Sequence, residues 1–262
     1  MTINEVLNNR AHRPWKIPTE NWKFYQEWND AVFLHWQVDY EELSNLVHPD
    51  LEIDLFEGKP WVSLVAFNME KLRPKNLPSF SPISFFPEIN IRTYVKYNGK
   101  AGVHFLSIEG AKSLSCMVAR RLSELPYRFS PMTRTEDCFI SNNMEFGDSL
   151  RLRYSVGQKM EHKQLIDLWL TERYALFQNT EKYINEFEIH HIEWPVFELE
   201  LNEFEINYPR FESLLGNLPD KKHYSTGVQV IAWGKKKNKI AHQLIETNTE
   251  YFQISKNTTF GT

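Results

Sequence analysis

The sequence predicts an α+β fold dominated by antiparallel sheet, and three observations support this. First, many short runs alternate apolar and polar residues, as residues 89–96 do with Ile89, Ile91 and Val95 on one side. Second, turn sequences such as Asn98-Gly99-Lys100 join neighbouring runs and are typical of hairpins. Third, no internal repeat and no linker of different composition divides the 262 residues, so we expect a single domain.

The predicted elements begin with an N-terminal arm or short helix, where Trp22, Tyr25 and Trp28 have helical spacing. Strands are then expected at residues 31–36, 51–56, 61–67, 89–96, 103–108, 136–142, 144–146, 150–155, 183–192, 196–201 and 224–233. Helices are expected at residues 40–47, 113–122 and 162–177, and Asp39 can cap the first of them. Residues 202–216 predict a loop with a short helix, and residues 240–262 a frayed tail.

Residues 72–87 contain Pro74, Pro78, Pro82 and Pro87. Proline fixes φ and removes a backbone donor, so this segment is expected to be a long loop rather than a helix or a central strand. Long ordered loops inside compact domains are often functional.

Composition and charge exclude several classes of protein. The chain has 30 Lys+Arg against 34 Asp+Glu and a net charge of −4, so it lacks the basic surface typical of a nucleic-acid binder. It has no run of about 18 apolar residues for a membrane span, and its N-terminus is polar, unlike a signal peptide. Two cysteines make no disulfide framework. We therefore expect a cytoplasmic protein without a nucleic-acid or membrane partner.

Common cofactor and catalytic motifs are absent from the sequence. It contains no glycine-rich phosphate loop, no Cys-x-x-Cys, no His-Glu-x-x-His and no Gly-x-Ser-x-Gly, and we expect no cofactor. His190-His191 does not predict a metal site, because adjacent residues on a strand point to opposite faces. We expect one of these histidines to be solvated and the other to be hydrogen-bonded.

Thr171-Glu172-Arg173-Tyr174 stands late in a predicted helix and has two interpretations. In the first, Glu172 and Arg173 form a surface pair and Tyr174 is a packed ring. In the second, the motif contributes to a pocket. The sequence leaves both open.

A row of polar residues marks the strand predicted after the proline-rich segment. Glu88, Asn90, Arg92 and Tyr94 share one face of that strand, since side chains alternate along it. An acid, an amide, a cation and a phenol on one face are unusual for a core. The face is therefore either solvated or lines a polar cavity, and the pattern leaves both open.

Several motifs, taken in chain order, carry a wider resemblance. They are Arg13-Pro14-Trp15, residues 33–39, residues 86–95, Ala119-Arg120-Arg121-Leu122 with Leu125-Pro126-Tyr127, residues 170–174, and His223-Tyr224-Ser225 with Gly227-Val228. Together they resemble the YqjF-like family of uncharacterised bacterial proteins, the domain of unknown function 2071, which has no established activity. The resemblance implies an N-terminal tail at 1–12, a single YqjF-like domain at 13–235 and a C-terminal strand or tail at 236–262.

More remotely, residues 36–54 and 88–128 are similar to acetoacetate decarboxylase. This similarity implies an acetoacetate-decarboxylase-like β-barrel with flanking helices and with the pocket inside the barrel. In the decarboxylase a lysine of a Pro-Lys-Lys motif forms a Schiff base with the substrate ketone. A glutamate of the pocket lies one strand earlier in the chain.

Only part of that site carries over to this sequence. Glu88 falls on the pocket glutamate of the decarboxylase, and Arg120 on the arginine of the helix before the lysine motif. Tyr127 falls on the Schiff-base lysine, and Arg128 on the lysine beside it. Ser63 takes the position of a second pocket acid.

The replacement of the lysine changes the expected chemistry. Tyr127 has no amine and Arg128 stays protonated, so neither can form a Schiff base. The resemblance therefore does not imply a Schiff-base acetoacetate decarboxylase. A pocket arginine of the decarboxylase is also replaced, by Asn29. A displaced lysine, Lys96 or Lys112, could substitute only if it reached the same interior.

One expected function is that of a small-molecule-binding protein for a carboxylic or oxo acid. An arginine could hold the carboxylate through two hydrogen bonds, inside a pocket of the inherited barrel. The ligand-binding candidates are Arg92, Tyr94, Arg120, Arg128 and Ser63.

The alternative function is an enzyme. Glu88 and Tyr127 would act as acid and base on a small oxo acid, as in a lyase, hydratase or tautomerase, if burial moved their pKa values toward neutrality. A purely structural alternative is a buried ion pair between Glu88 and an arginine. The similarity to an often oligomeric superfamily also leaves homo-oligomer formation open.

Overall fold

Antiparallel sheet dominates the structure, as predicted, and short helices flank it. The computed structural model describes residues 1–240. The strands are β1 (Phe24–Gln37), β2 (Glu52–Ile53), β3 (Trp61–Pro74), β4 (Phe86–Tyr97), β5 (Lys100–Gly110), β6 (Tyr127–Phe129), β7 (Met132–Arg134), β8 (Cys138–Asn143), β9 (Asp148–Lys159), β10 (Ala175–Asn179), β11 (Tyr183–His190), β12 (Val196–Asn207), β13 (Lys221–Ala232) and β14 (Lys236–Lys239). The helices are α1 (Ile3–Asn8), α2 (Tyr40–Ser44), α3 (Ser81–Ser84), α4 (Ser113–Ser123), α5 (Leu165–Thr171) and α6 (Glu212–Leu215). None of the helices in this range is long and apolar enough to cross a membrane.

Seven of the strands pair side by side into a closed ring. Their order is β11-β10-β5-β4-β3-β1-β13. β13 pairs in turn with β11, through Ile189 with Ala232 and His190 with Ile231. Four further strands, β12, β9, β8 and β7, continue the sheet from β13. The ring therefore has an interior face and an outer face.

The two faces of the ring bury separate hydrophobic clusters. On the interior side Phe33 packs among residues of β3 and β13, and Tyr94 packs with Leu170 of α5. On the outer side Ile91 belongs to the same cluster as Leu152, a residue of the sheet extension. Because side chains alternate along β4, Ile91 and Tyr94 lie on opposite faces. The helix α5 therefore packs on the interior face, and the extension covers the outer one.

Several local predictions are confirmed. Asn98 and Gly99 adopt positive φ angles of 50° and 75° in the turn between β4 and β5, as a tight hairpin requires. The Asp39 carboxylate accepts hydrogen bonds from the Glu41 and Glu42 amides at the start of α2. The helix predicted at 113–122 is α4.

Other local predictions are wrong, mostly because strand pairing outweighs local spacing. Residues 22–28 are not helical, since β1 begins at Phe24 and pairs with both β3 and β13. The helix predicted at 162–177 ends at Thr171, because residues 175–179 pair with β5 and β11. Residues 144–146 lie in a turn. The proline-rich segment contains the one-turn helix α3, with Pro82 in its first turn, where the missing amide is tolerated.

Both ends of the described chain pack on the ring. Val6 of α1 is fully buried against a cluster that includes Tyr25 and Trp233. At the other end, β14 pairs with β11. The tail expected at 240–262 lies outside the described residues except for Ile240, and the predicted boundaries at residues 12 and 235 stay predictions.

A narrow parallel seam joins β5 to β10. Leu176 and Val103 are the one register pair that these two strands share. Gly102 lies at this seam, where a Cβ atom would come within 2.6 Å of the Ala175 carbonyl oxygen. A glycine is therefore required for the two strands to approach each other.

We expect Gly102→Ala to lower the free energy of unfolding by about 1–3 kcal/mol, since the added methyl group must push the strands apart. Urea unfolding followed by circular dichroism measures this. Gly234→Ala is the matched control, because the nearest atom to its Cβ, Lys23 Cγ, is 3.5 Å away. Equal stability of the two variants would contradict the assignment of Gly102 to a close approach.

Candidate functional site

The polar row of β4 points into the ring. Exposure is 3% for Glu88, 4% for Asn90, 8% for Arg92 and 0% for Tyr94. This burial excludes the solvated alternative. The row therefore places an acid, a cation and a phenol among interior side chains.

Glu88 and Tyr127 meet at one end of the row. β6 pairs with β5 in parallel, with Tyr127 opposite Ile108, and the Tyr127 hydroxyl donates to Glu88 Oε2 at 3.0 Å. Burial raises the pKa of Glu88 to about 8, although hydrogen bonds from Tyr127 and Asn90 oppose the rise. Burial, and then the charge of Glu88, raises the pKa of Tyr127 well above its ordinary value. At neutral pH Glu88 is therefore mostly protonated, and Tyr127 is a hydrogen-bond donor.

Glu88 takes part in none of the ion pairs within residues 1–240. The structural alternative of a buried pair between Glu88 and an arginine is therefore wrong. The backbone of Arg92 lies four residues further along the strand, about 13 Å from that of Glu88 at a rise of about 3.3 Å per residue. Its guanidinium is directed toward α5 instead.

Arg92 is a buried cation with no carboxylate partner among the described residues. Its Nη2 lies 3.5 Å from the Leu170 carbonyl oxygen, and its Nε has no hydrogen-bond partner there. The guanidinium carbon is 5.8 Å from the centroid of the Phe33 ring. Burial lowers the pKa of Arg92, but an arginine stays protonated in proteins. The ring interior therefore holds a positive charge that nearby side chains do not neutralise.

Tyr94 and Ser63 lie beside Arg92. Ser63 is the register partner of Arg92 across β3 and β4. The Tyr94 Oη donates to the Leu170 carbonyl at 2.9 Å and lies 2.6 Å from Ser63 Oγ. The structure thus brings together three of the predicted ligand-binding residues, next to α5.

Two histidines and an aspartate continue from Ser63, and the sequence did not single them out. His35 Nδ1 lies 2.6 Å from Ser63 Oγ, and His35 Nε2 lies 3.1 Å from His223 Nδ1. His223 Nε2 lies 3.1 Å from Asp167 Oδ1. All four side chains are buried. His35 and His223 stand in motifs that carried the resemblance, which was a usable signal, whereas nothing local marks Asp167.

Arg128 and Arg120 lie away from this group. Arg128 follows Tyr127 on β6, so it points to the outer face, where it pairs with Asp148 at 3.0 Å and Glu109 at 3.3 Å. Arg120 is exposed on α4. The structure therefore brings neither arginine to the Arg92 end of the ring.

The two lysines considered as replacements for the Schiff-base amine are directed elsewhere. Lys96 Nζ pairs with Asp54 at 2.8 Å, and its side chain is 39% exposed. Lys112 Nζ donates to the Ser81 carbonyl at 2.9 Å in an exposed position. Neither lysine reaches the polar row.

The motif at the end of α5 is not a surface pair, so that interpretation is wrong. Arg173 is buried and pairs with Asp54 at 2.7 Å. Glu172 accepts a hydrogen bond from the Tyr174 hydroxyl at 2.6 Å and one from the Trp194 amide at 2.9 Å. Tyr174 itself is a packed ring. The motif fastens the end of α5 to the surrounding loops.

His190 and His191 are both buried, so the expectation that one is solvated is wrong. His190 Nε2 lies 2.9 Å from the Val6 carbonyl oxygen, because α1 covers it. His191 Nδ1 lies 2.7 Å from the Ile192 carbonyl oxygen. Within residues 1–240, no group of three or more His, Cys, Asp or Glu side chains is arranged to hold a metal ion.

Two surface depressions border α1 rather than the polar row. One is lined by Asn9, Ala11, His12 and Glu193. The other is lined by Met1, Val6, Asn29, Ile192, Gly227, Val228 and Gln229. Asn29, which the resemblance alone places at a pocket arginine of the decarboxylase, thus lines a depression beside α1.

Solved structures with the same architecture define the class of fold. An acetoacetate decarboxylase-like enzyme from Sphingomonas wittichii RW1 has a TM-score of 0.59 at 14% identity, covering 86% of this chain and 98% of that one. The enduracididine biosynthesis enzyme MppR complexed with pyruvate has a TM-score of 0.58 at 11% identity, covering 87% and 94%. Acetoacetate decarboxylase from Legionella pneumophila has a TM-score of 0.55 at 14% identity, covering 90% and 95%. The fold is therefore acetoacetate decarboxylase-like, and at these identities the likeness shows the fold alone.

The sequence relatives define the family within that class. The model of DUF2071, described as an uncharacterized conserved protein, matches residues 25–229. The uncharacterized protein YqjF of Bacillus subtilis (strain 168) is 32% identical over 232 residues, which cover 84% of this chain and 95% of that protein. The chain belongs to the DUF2071 family.

Glu88→Gln should change how stability depends on pH. Folded Glu88 titrates at about 8 and a glutamate in the unfolded chain at about 4.5, so between these values the folded protein holds a proton that the unfolded chain has lost. The native free energy of unfolding therefore falls as pH rises from about 5 to 8. Glutamine does not titrate. Relative to the native chain, the free energy of unfolding of the variant should therefore rise by a few kcal/mol over that range.

Urea unfolding at several pH values measures this difference. Glu200→Gln, at an exposed position, is the matched control and should follow the native curve. Parallel curves for the native chain and Glu88→Gln would contradict a protonated Glu88.

Proposed function

We propose that the chain binds a small carboxylic or oxo acid inside the ring, with Arg92 as the carboxylate anchor. The observation that carries this is the buried guanidinium of Arg92, which has no carboxylate partner among the described residues. A buried charge without a counterion costs several kcal/mol, and arginine does not relieve the cost by losing its proton. A ligand carboxylate would neutralise the charge and accept two of its hydrogen bonds.

The surroundings of Arg92 favour a ligand with a small apolar part. The Phe33 ring stands beside the guanidinium, and the Tyr94 and Ser63 hydroxyls next to it are hydrogen-bonded to each other. The likeness in fold to MppR complexed with pyruvate supports the same ligand class, since pyruvate is a small oxo acid. Tyr127, at the position of the decarboxylase lysine, supports binding without a Schiff base.

A second candidate function is acid-base catalysis by Glu88 and Tyr127. It is favoured by the hydrogen bond between them and by the pKa of Glu88, about 8, which lies near the pH at which such groups work best. Lyase, hydratase or tautomerase chemistry on a small oxo acid would fit this pair. A cytoplasmic location, the absence of a nucleic-acid partner and the oligomeric state stay predictions from the sequence.

Arg92→Met should abolish acid binding and at the same time stabilise the free protein. Methionine keeps much of the side-chain volume and removes an uncompensated buried charge, so we expect a higher melting temperature without ligand. Thermal shift with acetate, pyruvate, 2-oxobutyrate, acetoacetate and phenylacetate should show stabilisation of the native chain and none of the variant. Isothermal titration calorimetry with the best acid then gives the loss in affinity.

Two arginines on α4 supply the controls. Arg121→Gln changes an exposed arginine and should keep the native response. Arg120→Gln tests the sequence prediction that Arg120 binds the ligand. If Arg92→Met still binds the acids, Arg92 is not the carboxylate anchor. If only Arg120→Gln loses binding, the binding site lies at α4.

Glu88→Gln separates the two functions. If Glu88 is catalytic, the variant should keep the ligand-induced shift and lose turnover of the acids that bind, by about a hundredfold or more. Unchanged turnover would show that the Glu88–Tyr127 pair does not supply the acid and the base.

A further inference from the structure

The two hydroxyl groups beside Arg92 have protons with fixed directions. Tyr94 Oη donates its single proton to the Leu170 carbonyl oxygen at 2.9 Å. Ser63 Oγ lies 2.6 Å from Tyr94 Oη, and because Tyr94 has no second proton, Ser63 is the donor between these two oxygens. Ser63 Oγ also lies 2.6 Å from His35 Nδ1, so the proton of that contact belongs to His35. Both hydroxyl protons are therefore already committed.

The same count of protons continues through two buried histidines. His35 Nε2 lies 3.1 Å from His223 Nδ1, and His223 Nε2 lies 3.1 Å from Asp167 Oδ1. A neutral imidazole has one N–H, and that of His35 is on Nδ1, so its Nε2 accepts from His223. Burial opposes ionisation of Asp167, but hydrogen bonds from His223 and Lys221 lower its pKa, and a carboxylate only accepts. His223 therefore donates from both nitrogens and is an imidazolium.

The surroundings place the additional proton on His223 and not on His35. Burial lowers the pKa of His35 well below its ordinary value. The charges of His223, Arg92 and Lys221 lower it further. His223 instead lies against the Asp167 carboxylate of α5, which carries the opposite charge. A buried ion pair between His223 and Asp167 therefore sets the directions of the other protons.

We propose that the Arg92 end of the ring selects an alkanoic acid over the 2-oxo acid of the same size. This inference rests on the proposed function, since Arg92 must hold the carboxylate. A carboxylate held by two hydrogen bonds uses both donors of one guanidinium edge. The Tyr94 and Ser63 protons are directed to other oxygens. A keto oxygen next to the carboxylate therefore loses its hydrogen bonds to water and receives none from these hydroxyls.

A methylene group in place of the carbonyl has no such cost. It needs no hydrogen bond, and its burial beside apolar side chains is favourable. Two such side chains lie near Arg92, since the Phe33 ring centroid is 5.8 Å from the guanidinium carbon and Leu170 is fully buried. Tyr94 and Ser63 present only oxygen lone pairs to a ligand, and these repel a keto oxygen. Both effects favour the alkanoic acid.

Isothermal titration calorimetry with matched acids tests this selection. Propionate and pyruvate differ only by a methylene against a carbonyl, as do butyrate and 2-oxobutyrate, and all four are anions at neutral pH. We expect the native chain to bind propionate about tenfold more tightly than pyruvate, because one buried polar group is left unpaired. Butyrate should be preferred in the same way. Pyruvate that binds as tightly as propionate, or more tightly, overturns the selection and leaves the proposed function intact.

Tyr94→Phe should weaken the selection, although it removes a hydroxyl group. Without the phenol oxygen, the Ser63 proton loses its acceptor and can be donated to a keto oxygen, so the preference for propionate over pyruvate should fall several-fold. Tyr25→Phe is the matched control, since Tyr25 is also buried but donates its hydroxyl proton to Glu27 at 2.6 Å, in the cluster under α1. An unchanged preference in Tyr94→Phe overturns the inference that committed hydroxyl protons cause the selection.

Nitrogen-15 NMR of the histidine rings tests the proton directions in the native chain without a ligand. A proton on His35 Nδ1, with protons on both nitrogens of His223, supports the inference. A His35 Nδ1 without a proton overturns it, because Ser63 would then donate to His35 and not to Tyr94. If none of the acids binds, the proposed function fails and the selection fails with it, which a preference for pyruvate would not imply.

Discussion

Closure of the ring by β13 is the constraint on which the polar interior depends. β13 pairs with β1 on one side, and its two register pairs with β11 complete the circle. Side chains that would meet water on an open sheet are thereby enclosed. Glu88 and Arg92 respond to this in opposite ways, because a carboxyl group can take up a proton and become neutral. A guanidinium cannot lose its proton, so Arg92 keeps its charge inside the ring.

The interior is consequently divided into two polar centres with different chemistry. Glu88 and Tyr127 form a neutral hydrogen-bonded pair at one end. At the other end, the Arg92 charge stands beside the Tyr94 and Ser63 hydroxyls, from which the histidines lead outward. The neutral pair and the charged centre therefore lie at different points along β4.

The fold class and the polar row could be predicted from the sequence because both follow from alternation along single strands. The sequence does not predict which face of the sheet each of two neighbouring residues occupies. Tyr127 and Arg128 are both predicted site residues, yet β6 directs them to opposite faces. Asp167 reaches His223 from another element, and no local pattern encodes such a contact. The helical spacing from Trp22 to Trp28 was misleading for the same reason, since pairing with β3 and β13 decides the conformation there.

The seam at Gly102 has a consequence for how fast the interior can be reached. A ring opens most readily where the fewest backbone hydrogen bonds hold it, and β5 meets β10 at a single register pair. Arg92 lies on β4, the neighbour of β5, so separation of that join would give solvent access to the interior beside it. Binding would then be gated: at high ligand concentration the association rate would level off at the opening rate of the seam and cease to follow diffusion.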